Sequence, residues 1–178
     1  MERSQLNRVI YAALMAAVTC IATMVIRVPS VGAVGYVNIG DTAVLICAWL
    51  IGGAYGALAA GIGSGLADLL AGYAYYVPGT FIIKFTMALV AYMIFKQLKE
   101  VTSDHTGIKR FIPYIVSGIP AEIIMIIGYF FYKALILGKG FAAAVPSVFS
   151  NLAQGITCLI TALLLAVALE KVRLPERE

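Results

Sequence analysis

Asp41, Asp68 and Lys84 stand inside a stretch, residues 38–84, that is otherwise almost wholly apolar or small: NIGDTAVLICAWLIGGAYGALAAGIGSGLADLLAGYAYYVPGTFIIK. Glu122, Asn151 and Gln154 are set into apolar runs further along. On insertion scales a charge at the centre of a bilayer costs roughly 2.5–3.5 kcal/mol, so such groups face a bundle interior, a cavity or a partner. Lys84 is the natural partner of Asp68 or Glu122, whereas Asp41 is placed to cap a helix N-terminus. A static buried ion pair is one reading of this set. Because desolvation offsets the attraction within such pairs, the other reading is a polar ligand site. Three carboxylates against one lysine leave a surplus of acid that a ligand with several donors could satisfy. Asn151 and Gln154 are one turn apart and can each donate and accept, which suits the edge of a heterocycle; helix–helix hydrogen bonding is their plainer use.

Other chemistries find no support. No Walker motif, HExxH or nucleophile–base signature occurs. Gly61-Ile62-Gly63-Ser64-Gly65 lacks the GK[ST] of a phosphate loop and lies in an apolar span, which favours close packing. Cys20, Cys47 and Cys158 are scattered in apolar runs and read as small buried hydrophobes. His105 is the one histidine, so no metal site and no cofactor is expected in this chain.

The elements that must position these groups follow from composition. The chain is 62% hydrophobic and 12% charged, about half the charge of a soluble domain. It reads as one integral membrane domain over 1–178, an all-α protein of the cell membrane with six transmembrane helices in one bundle. The spans are roughly 9–28, 41–52, 54–71, 79–95, 111–137 and 146–171. The first is too long for a signal peptide core and is expected to be retained. The second is short for a full crossing, which takes about 20 residues. With both termini cytoplasmic, Arg3, Arg8, Lys96, Lys99, Lys109, Arg110, Lys171, Arg173 and Arg177 fall inside, against Arg27, Lys133 and Lys139 outside. The net charge of +4 is thus a topology signal and does not point to nucleic acid. Asp41, Asp68, Lys84, Asn151 and Gln154 then gather in the outer half, with Glu122 nearer the middle. That asymmetry predicts an outward-facing pocket with a closed floor. The loops 27–37 and 72–78 look ordered. Tyr73, Tyr75 and Tyr76 are either interfacial belt residues or contacts to a flat ligand.

Small residues recur every fourth position, as Gly53, Ala57, Gly61, Gly65 and as Gly52, Gly56, Ala60, Ser64, the latter row ending on Asp68. Such ridges let helix backbones approach closely. Pro120 can bend the fifth helix and aim Glu122, with Tyr129 on the same face. Ala12/Ala16 and Ala13/Ala17 form two AxxxA rows on the first helix, suited to internal packing or to docking another membrane protein.

On Tyr36-Val37-Asn38-Ile39-Gly40-Asp41, Gly61-Ile62-Gly63-Ser64-Gly65-Leu66-Ala67-Asp68 and Pro78-Gly79-Thr80-Phe81-Ile82-Ile83-Lys84, the chain resembles, over nearly its whole length, the S components of energy-coupling factor (ECF) vitamin transporters. The nearest group is the riboflavin-type one, which includes proteins proposed for hydroxymethylpyrimidine and pyridoxine. The resemblance implies a six-helix fold with a vitamin pocket near the outer face, and no enzyme activity in this chain. It also implies docking through the first-helix rows to a transmembrane coupling subunit and two ATPase subunits. Asn38, Asp68, Lys84, Glu122 and Asn151 carry over as pocket residues; Asp41, Tyr73, Tyr75, Tyr129 and Gln154 complete the candidate set. A hydroxymethylpyrimidine- or pyridoxine-like ligand is the expectation, with riboflavin as the alternative. An ion-coupled secondary carrier working alone, with Asp68, Lys84 and Glu122 as a proton relay, is the rival from another class.

Overall fold

The computed structural model describes residues 3–29, 36–101 and 107–171. His105, Arg173, Arg177 and residues 30–35 of the first outer loop lie outside the described residues. Helices dominate: α1 (Arg3–Val25), α2 (Gly40–Ile46), α3 (Gly53–Leu70), α4 (Val77–Val101), α5 (Ile112–Phe131) and α6 (Phe141–Lys171). α2 runs on into a π-helical turn, Cys47–Ile51, and α5 into another, Tyr132–Ile136. α1, α4, α5 and α6, with their flanking turns, are long and apolar enough to cross a membrane. The all-α expectation needs one amendment. The α1–α2 connection contains a two-stranded antiparallel ribbon, β1 (Arg27–Pro29) on β2 (Tyr36–Asn38), with Arg27 opposite Asn38.

Two helix boundaries differ from expectation for local reasons, and a third falls where it was expected. α4 continues to Val101, past the apolar run and through the polar Lys96–Lys99 turn. α6 begins five residues before Pro146, since a proline this early in a helix forgoes one backbone bond and need not mark the start. The second span ends at Gly52, whose φ of 69° closes the α2–α3 turn without Cβ strain.

α3 packs on α1 and α4, α4 on α5, α5 on α6, and α6 on α2, which also touches α1 and α4. Surrounded in this way, α2 has no lipid face: Val44, Leu45 and Cys47 are fully buried, as expected of a helix apolar all round. The glycine ridges explain how α3 fits between two neighbours. A Cβ at Gly63 would stand 2.3 Å from the Ala16 carbonyl oxygen of α1, and one at Gly61 would stand 3.0 Å from Phe81 of α4. Cys47 and Cys158 are buried free thiols, and Cys20 is partly buried. At the end where the chain termini lie, Trp49, Phe95 and Tyr114 fill the interior, Trp49 edge-on to Tyr114 at 5.0 Å, and the Trp49 indole donates to Ser117 Oγ at 3.0 Å.

The two alanine rows of α1 part company. Ala16 is buried and Ala12 packs against the core, whereas Ala13 and Ala17 are exposed. Ile10, Leu14 and Ile21 are exposed with them. Of the four long spans α1 buries the least of itself, 17% against 39% for α4 and for α5, so it has the most surface left for lipid or another chain.

Gly63→Val is expected to lower the melting temperature of the detergent-purified protein, because overpacking a close helix contact costs about 1–3 kcal/mol. Ile62→Val, on the exposed side of the same helix, should leave it nearly unchanged. Equal melting temperatures for the two variants would contradict the α1–α3 contact.

Candidate functional site

The strongest interaction joins α2, α4 and α6. Lys84 Nζ forms an ion pair with Asp41 Oδ1, both side chains being buried. The second Asp41 oxygen accepts from Gln154 Nε2 at 2.6 Å. Gln154 Oε1 in turn accepts the Asn38 backbone N–H at 3.0 Å. This pattern requires the Gln154 amide in one orientation, nitrogen toward the carboxylate and oxygen toward the N–H. Cys158 Sγ donates to the Asn38 carbonyl, which ties β2 to α6 a second time. The Asn38 side chain accepts the Gly40 N–H at 2.7 Å and so serves the start of α2.

Two expectations are corrected here. Asp41 does not cap its helix: α2 has no side-chain cap bond, and the Asp41 carboxylate points inward to Lys84. Lys84 pairs with Asp41 and not with Asp68 or Glu122. The reason is reach. Asp68 lies on α3 and accepts from Thr80 Oγ1 at 2.5 Å, and Thr80 in turn accepts from Tyr129 OH at 3.0 Å. Lys84 Nζ also lies 5.2 Å from the centre of the Tyr129 ring, within cation–π range.

Above this pair, toward the ribbon end, opens a cleft of about 730 Å³, its mouth included. Among the expected site residues, Asn38, Asp68, Tyr73, Lys84, Tyr129, Asn151 and Gln154 line it. Asp41 stands behind Lys84 and is fully buried. Tyr75 is half-exposed and outside the lining, while its neighbour Tyr76 is on the wall, 6.4 Å from the Tyr129 ring. Glu122 is buried against Gly155 of α6, with both carboxylate oxygens lacking a hydrogen-bond partner, and within electrostatic range of Asp41 and Lys84.

Sequence reasoning passed over Thr23, Thr80, Ser147, Ser150 and Lys133 in the lining. Thr80 could have been found, since it precedes Lys84 by one turn. Lys133 was counted with the outer loop charges, although it falls within the expected fifth span of 111–137. It is buried, and the π-helical turn Tyr132–Ile136 carries it to the cleft. Among the described residues the buried carboxylates and lysines are therefore three against two. Among the described residues no three of His, Cys, Asp and Glu converge as a metal ion needs.

Lys84→Met is expected to destabilise the fold by about 3–5 kcal/mol, because it leaves the Asp41 carboxylate buried and uncompensated. Adding Asp41→Asn should recover most of that loss. Thermal unfolding of the two single variants and the double variant reads the coupling; additive losses would show that the pair is not as described.

The ECF-type riboflavin transporter S component family matches residues 3–171. A solved S component of a bacterial ECF transporter superposes with a TM-score of 0.69, covering 94% of this chain and 98% of that one, at 18% identity, which speaks for the fold. An uncharacterised protein of Pyrococcus woesei is 28% identical over 140 residues, 79% of this chain and 86% of its own length. With the apolar spans and the cleft at one end of the bundle, the match over nearly the whole chain leads to one conclusion: this multi-pass membrane protein belongs to the ECF-type riboflavin transporter S component family, the substrate-binding subunits of vitamin importers.

Proposed function

We propose that the cleft binds a small polar vitamin or vitamin precursor, a pyrimidine or pyridine alcohol of the hydroxymethylpyrimidine or pyridoxine kind. The cleft takes it from the outer face of the membrane for delivery inward. The observation that carries this reading is the wall itself. Among the described residues, every lining residue is Thr, Ser, Asn, Gln, Asp, Lys or Tyr, and none is aliphatic. A ring polar around its whole edge suits that wall, with Tyr76 and Tyr129 supplying aromatic faces. Riboflavin is the second reading and rests on the family's own description. Its benzenoid edge would need the tyrosines as an apolar wall.

The orientation rests on charge. Arg8, Lys96, Lys99, Lys109 and Arg110 lie toward the end of the termini, and Lys139 lies at the ribbon end. The positive-inside bias turns the cleft outward. Energy for import comes from separate chains, a transmembrane coupling subunit and two ATPases. The Ala13/Ala17 face of α1 is the docking surface we assign to the coupling subunit, since small residues let helices approach closely. The Ala12/Ala16 row is used up within the bundle.

Mass spectrometry of small molecules that co-purify with the protein tests the substrate directly. Glu122→Gln and Asn151→Ala are each expected to weaken binding of that molecule at least about tenfold, or roughly 1.4 kcal/mol; a hydrogen bond to a charged group is worth about 1.5–3 kcal/mol. Glu122 has no hydrogen-bond partner in the fold to lose, so calorimetry on folded Glu122→Gln separates binding from stability, and unchanged affinity would remove it from the site. Ala13→Trp should abolish uptake by the assembled importer and leave binding intact. Proton-driven uptake into liposomes by the purified chain alone would overturn the importer reading.

A further inference from the structure

Lys133 is 5% exposed, with its Nζ sealed from solvent and without a hydrogen-bond partner, on the wall of the cleft. Its backbone is held in place. The neighbouring Tyr132 donates its hydroxyl to the Tyr75 carbonyl at 2.7 Å. The Tyr132 ring lies over Gly79 of α4, where a Cβ would stand 2.4 Å from the ring. On the other side, Lys139 N–H donates to the Lys133 carbonyl and Gly140 N–H to the Ala134 carbonyl.

No acid answers this ammonium. Among the described residues the ion pairs are Lys84–Asp41 and the surface pair Lys96–Glu100. Asp41 is committed to Lys84 and Gln154. The charge that bears on Lys133 is another cation, Lys139. The charges that bear on Glu122 are Asp41 and Lys84, with Lys133 absent from them. Among the described residues the lining thus carries Asp68, the Lys84 that is paired with Asp41, and Lys133, which has no acid beside it. A desolvated ammonium without a partner is costly, and an anion that enters the cleft relieves that cost while forming a charge-assisted bond. The Asn151 amide lines the same cleft and can donate to the same group.

We propose that Lys133 is a subsite for an oxyanion substituent, a carboxylate or a phosphate monoester, carried by the substrate. This rests on the vitamin-cleft reading above and sharpens it: the ring faces the tyrosines and Asp68, and its anionic arm reaches Lys133.

Matched ligand pairs test the subsite by calorimetry on the detergent-purified full chain: pyridoxine against pyridoxine 5′-phosphate, pyridoxine against 4-pyridoxic acid, and riboflavin against flavin mononucleotide. In at least one pair the anionic member should bind at least about tenfold more tightly than the neutral one. Preference for the phosphate or for the carboxylate tells the two sources apart. The ratio should fall to near one in Lys133→Met and be partly kept in Lys133→Arg. A ratio of one or less in the unmodified protein, or a ratio that survives Lys133→Met, overturns the proposal. If no member of any pair binds, the vitamin-cleft reading fails and inorganic phosphate decides this one. Thermal protection by phosphate that is absent in Lys133→Met supports the subsite, and absent or equal protection overturns it.

Discussion

The ion pair between Lys84 and Asp41 is the constraint on which the cleft depends. It takes one charge from α4 and one from α2, and Gln154 adds α6 to the same carboxylate. As a source of stability such a pair is weak evidence, since desolvation of two ions consumes most of their attraction and a well-packed apolar trio could do as well. Its geometric effect is harder to replace. An apolar contact tolerates sliding, whereas a carboxylate with one oxygen on a lysine and the other on an amide fixes three helices in rotation and depth. Through the Asn38 N–H the same clamp holds the end of the ribbon to α6. Asp41 is satisfied by these partners, and other groups are not: Ser64 Oγ and Lys133 Nζ in the lining, and both oxygens of Glu122 outside it, are buried without hydrogen-bond partners.

The glycine ridges supply the second condition. Asp68 and Ser64 can reach the cleft only if α3 lies close to both α1 and α4. Gly63 admits the α1 backbone at Ala16, and Gly61 admits Phe81. Between helices surrounded by lipid, where hydrophobic association gives little, close van der Waals packing of this kind is the main adhesive. The row that ends on Asp68 contributes at its far end, where its last members, Ser64 and Asp68, line the cleft.

What could be read from residues alone follows the same division. Periodic features were legible: the apolar runs located the helices, the four-residue spacing located the close contacts, and isolated charges in apolar runs marked the cleft. Pairing was not legible. Asp41, Asp68 and Glu122 are all plausible partners for Lys84 on sequence, and the choice depends on how far a side chain reaches between helices whose rotation only the folded packing fixes. Lys133 was misread for a related reason. Charge near a span boundary is ordinarily a loop signal, and nothing in the run Phe130-Phe131-Tyr132-Lys133 shows that the helix continues through a π-helical turn. The ribbon was hidden too, since three-residue strands leave no alternation long enough to see.

The distribution of polarity also bears on how a bound molecule can leave. Among the described residues, those lining the cleft all lie on the ribbon side of Trp49, and the other half of the interior is filled by Trp49, Phe95 and Tyr114, with the indole donating to Ser117 and Ser117 to the Tyr114 carbonyl. A polar molecule resting on Lys84 therefore meets a plug of packed aromatic rings below it and the open mouth above. Crossing that plug would strip its remaining hydration, and the Trp49 and Ser117 groups there are already bonded to each other, a cost of several kcal/mol for each polar group left unpaired. Movement of whole helices against the membrane, driven from outside this chain, avoids that cost. The exposed, small-residue face of α1 is where such a force can be applied without disturbing the Lys84–Asp41–Gln154 clamp, since α1 contributes no member to it.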